Sequence, residues 1–209
     1  MSRSHTQPRA SEAPRRRSPS SAPAEILAAT EAILLEEGSA GLSIRKVAER
    51  SGYTAPTIYH HFGDKTGLVD AVLEPRFQEI HELMLQIPRG NDPAKNLREI
   101  AAAFIHFAFE NPDHYRLLTT PRPAAAAPVP SAEAAQELVK RRLEELAAVG
   151  DLATPDVEAA YQVTSAVISG VISFHLNRPD EPLADGFLEL ALDTVERGIL
   201  RLRPEGEVR

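Results

Sequence analysis

The chain has 209 residues, of which 43% are hydrophobic and 25% charged, with a formal net charge of −7 at pH 7 and no cysteine. That length and apolar content suffice for one large domain or two small ones with an ample core. The missing cysteines exclude disulfides, thiolate nucleophiles and cysteine-based metal sites, which is compatible with a reducing cytoplasm, and the acidic balance argues against indiscriminate binding to nucleic acid.

Residues 1–22 are rich in Ser, Pro, Ala and Arg, lack apolar periodicity and read as a disordered tail. Arg3, Arg9, Arg15, Arg16 and Arg17 face only Glu12, so the tail is basic on an otherwise acidic chain. It is either a solvated leader or a basic arm that reaches a DNA backbone or minor groove. No apolar core follows the arginines, so it is not a secretory signal. No apolar run approaches the ~20 residues of a membrane span.

A helix is predicted over 23–37, with Ile26, Thr30, Ile33 and Leu34 inward and Gly38 as its stop. The next stretch, 43–65, reads as two short helices around a tight turn. Ser43 caps the first, Val47 and Ala48 form its inner face, and Gly52 permits the turn. Thr54 or Ala55 opens the second, with Pro56 in its first turn. Ile58 and Phe62 face inward, leaving Thr57, Tyr59, His60 and His61 outward. Small polar and aromatic groups at the front of a short helix suit a major groove, and a helical hairpin with a merely polar surface fits the same pattern.

Asp64 caps a long helix with the stripe Val69, Leu73, Phe77, Ile80, Met84 and Ile87. Pro75 lies inside it and must kink it or break it. Asp92-Pro93 opens a helix to residue 110, and Asn111-Pro112 opens a short one to residue 118. Four prolines exclude regular structure over 120–130, a linker and a candidate mobile loop. Ser131 caps a helix to residue 149. Thr154-Pro155 opens one to residue 177, in which Ser165, Ser169 and Ser173 recur every fourth position and permit close approach of another backbone. The last helix, 183–202, carries the seam Leu188, Leu192, Val195, Ile199 and Leu202.

Arg45, Ala48, Gly52, the run Thr57-Ile58-Tyr59-His60-His61-Phe62 and Lys65 resemble the DNA-binding motif of TetR-family transcriptional regulators. Residues 107–118 resemble a regulatory-domain segment of one subgroup. That subgroup tends to carry a Trp and a His-Gly pair in the penultimate helix, where this chain has no Trp and reads Val167-Ile168-Ser169-Gly170. The resemblance implies an all-α protein. A three-helix helix-turn-helix domain over 23–66 would precede a helical regulatory and dimerisation domain over 67–203, with tails at 1–22 and 204–209. It implies base-edge contacts from Arg45, Thr54, Ala55, Thr57, His60 and His61, and phosphate contacts from Ser43, Tyr59 and Lys65. It further implies a homodimer through the last two helices, double-stranded operator DNA as partner, and a small-molecule effector bound among the regulatory helices. Candidate lining groups are Phe104, His106, Phe107, Tyr115, Tyr161, Phe174 and His175, each of which also suits a plain core.

The seven histidines make no close helical pair with a carboxylate, and no Gly-rich phosphate loop or Gly-x-Ser-x-Gly elbow is present. No metal, cofactor or catalytic residue is therefore expected. The favoured reading is a cytoplasmic one-component repressor. Its rivals are an activator or ligand-independent DNA-binding protein of the same fold, and an enzyme on a helical scaffold.

Overall fold

A computed structural model of the chain describes residues 21–201, so all but the last two residues of the predicted basic tail, and the C-terminal tail 204–209, lie outside it. The described residues form helices α1 (Ala22–Gly41), α2 (Ile44–Ser51), α3 (Ala55–Phe62), α4 (Lys65–Gln86), α5 (Pro93–Glu110), α6 (Pro112–Leu118), α7 (Pro130–Ala148), α8 (Val157–Leu176) and α9 (Phe187–Ile199). Among the described residues there is no strand beyond an isolated bridge between Leu152 and Leu200. The fold is all-α, as the sequence implies.

α2, α3 and α4 begin where their capping side chains dictate. α1 starts at Ala22, which is buried, and is interrupted at Gly38, the expected stop. The Ser43 hydroxyl accepts the Lys46 N–H at 3.3 Å and starts α2. Gly52, at φ 75°, ψ 15°, donates its N–H to the Ala48 carbonyl and ends it in a conformation that a β-carbon disfavours. Thr54 caps α3 and Asp64 caps α4. A Cβ on Gly67 would lie 2.2 Å from the Phe62 carbonyl oxygen, so glycine is what lets α4 leave α3 so tightly.

One apolar core unites this N-terminal unit: Ile26, Ile33 and Leu34 from α1, Val47 from α2, Ile58 from α3, and Leu68, Val69, Val72 and Leu73 from α4. Two residues from farther along the chain complete it, Leu117 of α6 and Val129 just before α7. The second half of α4 packs elsewhere, Ile80 and Met84 lying against Ile100, Ala135 and Leu138. Pro75 stands between the halves. α4 nevertheless continues through it as one helix, so of the two expected outcomes a break does not occur. Side-chain bonds hold α4 on both sides of the proline. Asp70 accepts from Arg122 at 2.7 Å, Glu74 from the Ser131 hydroxyl at 2.6 Å, and Arg76 donates to Glu31 at 2.6 Å. These contacts and the packing offset a helix-interior proline penalty of about 3 kcal/mol.

Several boundaries in the second half differ from expectation. Asn111 does not cap α6; its side-chain amide donates back to the Phe107 carbonyl at 2.9 Å and closes α5. Ser131 does not cap α7, because its N–H and hydroxyl both go to the Glu74 carboxylate. α8 opens at Val157, capped by Asp156, whose carboxylate accepts the Ala159 N–H at 3.0 Å. α9 is shorter than expected: Gly186 turns left-handed just before it, and extended Leu200 pairs with Leu152 after it. The expected mobile loop is tied down by Arg122, which also donates to the Ala127 carbonyl at 2.6 Å, and by buried Val129.

The seam of α9 turns inward over Leu188, Leu192, Val195 and Ile199, its last predicted member Leu202 lying outside the described residues. Leu192 packs with Ala101, Ile105 and Ile168, and Val195 and Ile199 pack with Leu97 and Leu143. The opposite stripe, including Leu190 and Thr194, is exposed. α8 behaves likewise, burying Ala160, Thr164, Ile168, Val171 and Ile172 while Val163 and Phe174 are exposed. By length and composition α8 is apolar enough to cross a membrane, against the expectation that no such run exists. Its inward face lies against α5, α7 and α9.

Candidate nucleic-acid interface and effector cavity

α3 presents Thr54, Pro56, Tyr59, His60 and His61 outward, while Ala55 and Thr57 are half-buried. Its position is set by Ile58, which is fully buried, and by Phe62 against the same core. The Thr54 and Thr57 hydroxyls lie 2.9 Å apart and share a hydrogen bond, which orders the front of the helix. Ser43 lies at the start of α2, Arg45 one residue into it, and Lys65 opens α4. The Lys65 ammonium donates to the Ser39 carbonyl at 3.2 Å.

The charges of this surface are largely matched internally. Arg45, with 87% of its side chain exposed, pairs with Glu49 at 2.8 Å. Lys46 pairs with Glu37, and Arg50 holds Glu36 through both terminal nitrogens. The hydrogen bond from Arg50 keeps the Glu36 carboxyl below the usual carboxylate range, and Glu49 raises the Arg45 guanidinium above its own. Exposed pairs of this kind add little stability. Their main consequence is electrostatic: three of the four cations in 43–65 have a glutamate at hand, so the motif attracts a polyanion less than its arginines and lysines alone would.

A cavity of about 330 Å³ lies between α4, α5, α6, α7 and α8. Phe77, Ile80 and Met84 reach it from α4, Ile100 and Phe104 from α5, and Tyr115, Leu118 and Thr119 from α6 and its end. α7 supplies Ala132, Ala135, Gln136 and Val139, and α8 supplies Tyr161, Thr164, Ser165, Ile168 and Ser169. Its volume falls in the range of small-molecule sites.

Of the seven lining groups predicted from sequence, the cavity brings together Phe104, Tyr115 and Tyr161. The other four lie elsewhere. His106 is exposed, on the side of α5 opposite its buried face. Phe107 sits edge-on to His114, ring centroids 4.8 Å apart. Phe174 stacks on Phe187 under the Arg178 guanidinium, and His175 lies against Phe109 at 4.2 Å, its Nδ1 buried without a hydrogen-bond partner. The aromatic signal alone does not distinguish neighbouring helix faces. The groups it missed are stripe residues of α4 and α5, Leu118 and Thr119 at the end of α6, and aliphatic or polar residues of α7 and α8. The serine repeat of α8 was visible in the sequence, and two of its members, Ser165 and Ser169, line the cavity.

The polar contacts around α4 connect the two regions. Leu117 enters the N-terminal core while its neighbours Leu118 and Thr119 line the cavity. One turn earlier His114, nearly buried, donates from Nε2 to the Arg76 carbonyl at 2.9 Å, immediately after Pro75.

Residues 26–72 match the family model described as bacterial regulatory proteins, tetR family, and residues 97–195 match the tetracyclin repressor-like C-terminal domain. Over 151 residues, 70% of its length, the chain is 30% identical to the Escherichia coli tetracycline repressor protein class A from transposon 1721. It is also 30% identical over 78 residues, 36% of its length, to the HTH-type transcriptional regulator BetI of Stenotrophomonas maltophilia. These matches span 65% and 40% of the respective relatives. A solved structure of a TetR-type transcription regulator from a Shewanella species superposes with a TM-score of 0.71 at 15% identity, covering 87% of this chain and 99% of that one.

Proposed function

Because the chain belongs to the TetR family of bacterial transcription regulators, we propose that it is a homodimeric repressor released from its operator by a small molecule bound in the cavity between α4 and α8. The observation that carries this reading is the sharing of elements. α4, α6 and the start of α7 line the cavity with Phe77, Leu118 and Ala132, while Leu73, Leu117 and Val129, the last just before α7, complete the helix-turn-helix core. An effector that favours one arrangement of these helices biases the placement of α3.

In this reading α3 enters a major groove. Arg45, Thr54, Ala55, Thr57, His60 and His61 meet base edges, while Ser43, Tyr59 and Lys65 hold phosphates. The domain division at 66/67 then separates functions, although the core crosses it. A second copy docks on the outer stripes of α8 and α9, where Val163, Phe174 and Leu190 are exposed. Two reading helices about 34–36 Å apart address successive major grooves on one side of the duplex. The protein acts in the cytoplasm, where its DNA is, and performs no catalysis.

Selection of bound fragments from genomic DNA of the source organism, followed by footprinting, tests the reading. A two-fold-symmetric protected site, vacated on adding one member of a metabolite panel, is the expected result. Sites retained with every metabolite favour a ligand-independent binder, and turnover without selective DNA binding favours an enzyme. Lys65→Ala weakens binding to all sequences alike; a sequence-selective loss contradicts its phosphate role.

A further inference from the structure

The lining of the cavity also constrains the chemistry of its occupant. Among the described residues, no Asp, Glu, Lys, Arg or His lines it. One side is apolar, built of Phe77, Ile80, Ile100 and Phe104. The groups with hydrogen-bonding capacity to spare among the described residues are the Tyr115 and Tyr161 hydroxyls, Gln136 of α7, and Ser165 and Ser169 of α8, so α8 and the adjoining α7 supply four of the five. Gln136 and Ser169 are solvent-exposed and mark the opening. Two other hydroxyls are already engaged, Thr164 to the Ala160 carbonyl at 2.8 Å and Thr119 to the Tyr115 carbonyl at 3.2 Å.

The cation beside the lining residue Tyr161 is also accounted for. Lys140 lies 5.0 Å from the centroid of the Tyr161 ring and is paired with Glu158 at 2.6 Å. A carboxylate entering the cavity would find no counter-charge, and an ammonium would lose its hydration without one. Aromatic faces can hold a quaternary ammonium. Here, however, the Tyr161 ring already carries Lys140, and Phe104 and Tyr115 tilt against each other with centroids 6.2 Å apart, which leaves Phe77 as the one lining ring in no such contact among the described residues, fewer faces than an aromatic cage uses.

We infer that the effector is an uncharged, largely apolar molecule whose hydrogen-bonding group lies toward Gln136, Ser165 and Ser169. This rests on the reading of the cavity as the effector site.

Three probes of matched shape separate the charge classes: 4-tert-butylphenol, (4-hydroxyphenyl)trimethylammonium and 4-tert-butylbenzoate. Each is titrated calorimetrically into the full-length protein and into Ala135→Phe, which fills the cavity. The phenol is expected to bind at about 1 mM or tighter and about tenfold better than either charged probe, and Ala135→Phe to abolish that binding. Gln136→Leu with Ser165→Ala weakens the phenol about fivefold and leaves tert-butylbenzene unchanged.

A charged probe that binds as well as the phenol, and is lost in Ala135→Phe, overturns the inference while the cavity reading stands. Phenol binding that survives Ala135→Phe overturns the cavity reading itself. Absence of phenol binding at millimolar concentration also overturns the inference, as does equal loss of phenol and tert-butylbenzene in the double variant. If Ala135→Phe does not fold, by circular dichroism, Ala132→Phe on the half-buried side of the same wall takes its place.

Discussion

Leu117 and Leu118 are consecutive residues at the end of α6 that serve different interiors: Leu117, 1% exposed, completes the core of α1–α4, and Leu118 lines the cavity. A group that displaces Leu118 therefore acts on backbone that also carries Leu117. Leu117→Ala is expected to lower the unfolding free energy by about 2–5 kcal/mol, as buried leucine truncations do. Leu118→Ala should cost much less and raise the effector concentration needed to release DNA. Urea unfolding and effector titration of a DNA complex read the two effects; equal destabilisation by both would remove the division between them.

Pro75→Ala restores a donor for the Ala71 carbonyl between the half of α4 that packs on the N-terminal core and the half that lines the cavity. The gain in helix propensity is about 3 kcal/mol, partly offset because the unfolded chain becomes freer. A net stabilisation of about 1–2 kcal/mol is expected, together with a smaller ratio of operator affinities without and with effector. A more stable protein with an unchanged ratio would show that the proline is not a hinge.

Glu49 sits beside Arg45 on the surface proposed to meet DNA. Glu49→Gln removes an anion from that surface and frees the guanidinium. Operator affinity should rise about threefold and the salt dependence steepen by about one released ion, measured by anisotropy across a salt series. Arg45→Ala in the same background should cancel the gain; if it does not, the pair is unrelated to DNA binding.

The Arg50–Glu36 pair sets a pH dependence of known sign. Arg50 lowers the Glu36 carboxyl in the folded state from its ordinary value of 4.5. Its contribution is therefore fully present above that value and is lost as the pH falls through the lowered one. Solvent screening of this exposed pair keeps the effect small. Comparing wild type with Glu36→Gln, the difference in stability should be constant at neutral pH and shrink below the ordinary carboxylate value. A difference that grows on acidification would contradict the pairing.

A Cβ at Gly170 on α8 would meet nothing within 4 Å in the isolated subunit. Gly170→Trp should thus leave the helical content intact. If the outer face of α8 is where a second copy docks, the same change converts a dimer to a monomer in sedimentation velocity and weakens operator binding. An unaltered dimer would move the interface elsewhere.

The sequence by itself determined the local grammar of the N-terminal half and the family of the whole. Ser43, Gly52, Thr54 and Asp64 cap or turn the chain where their short-range chemistry requires, because a capping bond spans only a few residues and needs no distant partner. The same reasoning failed at Asn111 and Ser131, where another acceptor competes: the Phe107 carbonyl of the preceding turn takes the first, and the distant Glu74 carboxylate takes the second. Helical periodicity also marked α9 as having an apolar stripe without saying what it meets, and packing turned that stripe inward. The cavity was legible only in part, since Phe104, Tyr115 and Tyr161 line it while His106, Phe107, Phe174 and His175 do not. A cavity is the space left where five helices fail to meet. Which side chains face it depends on how those helices rotate and cross, and only the tertiary structure decides that.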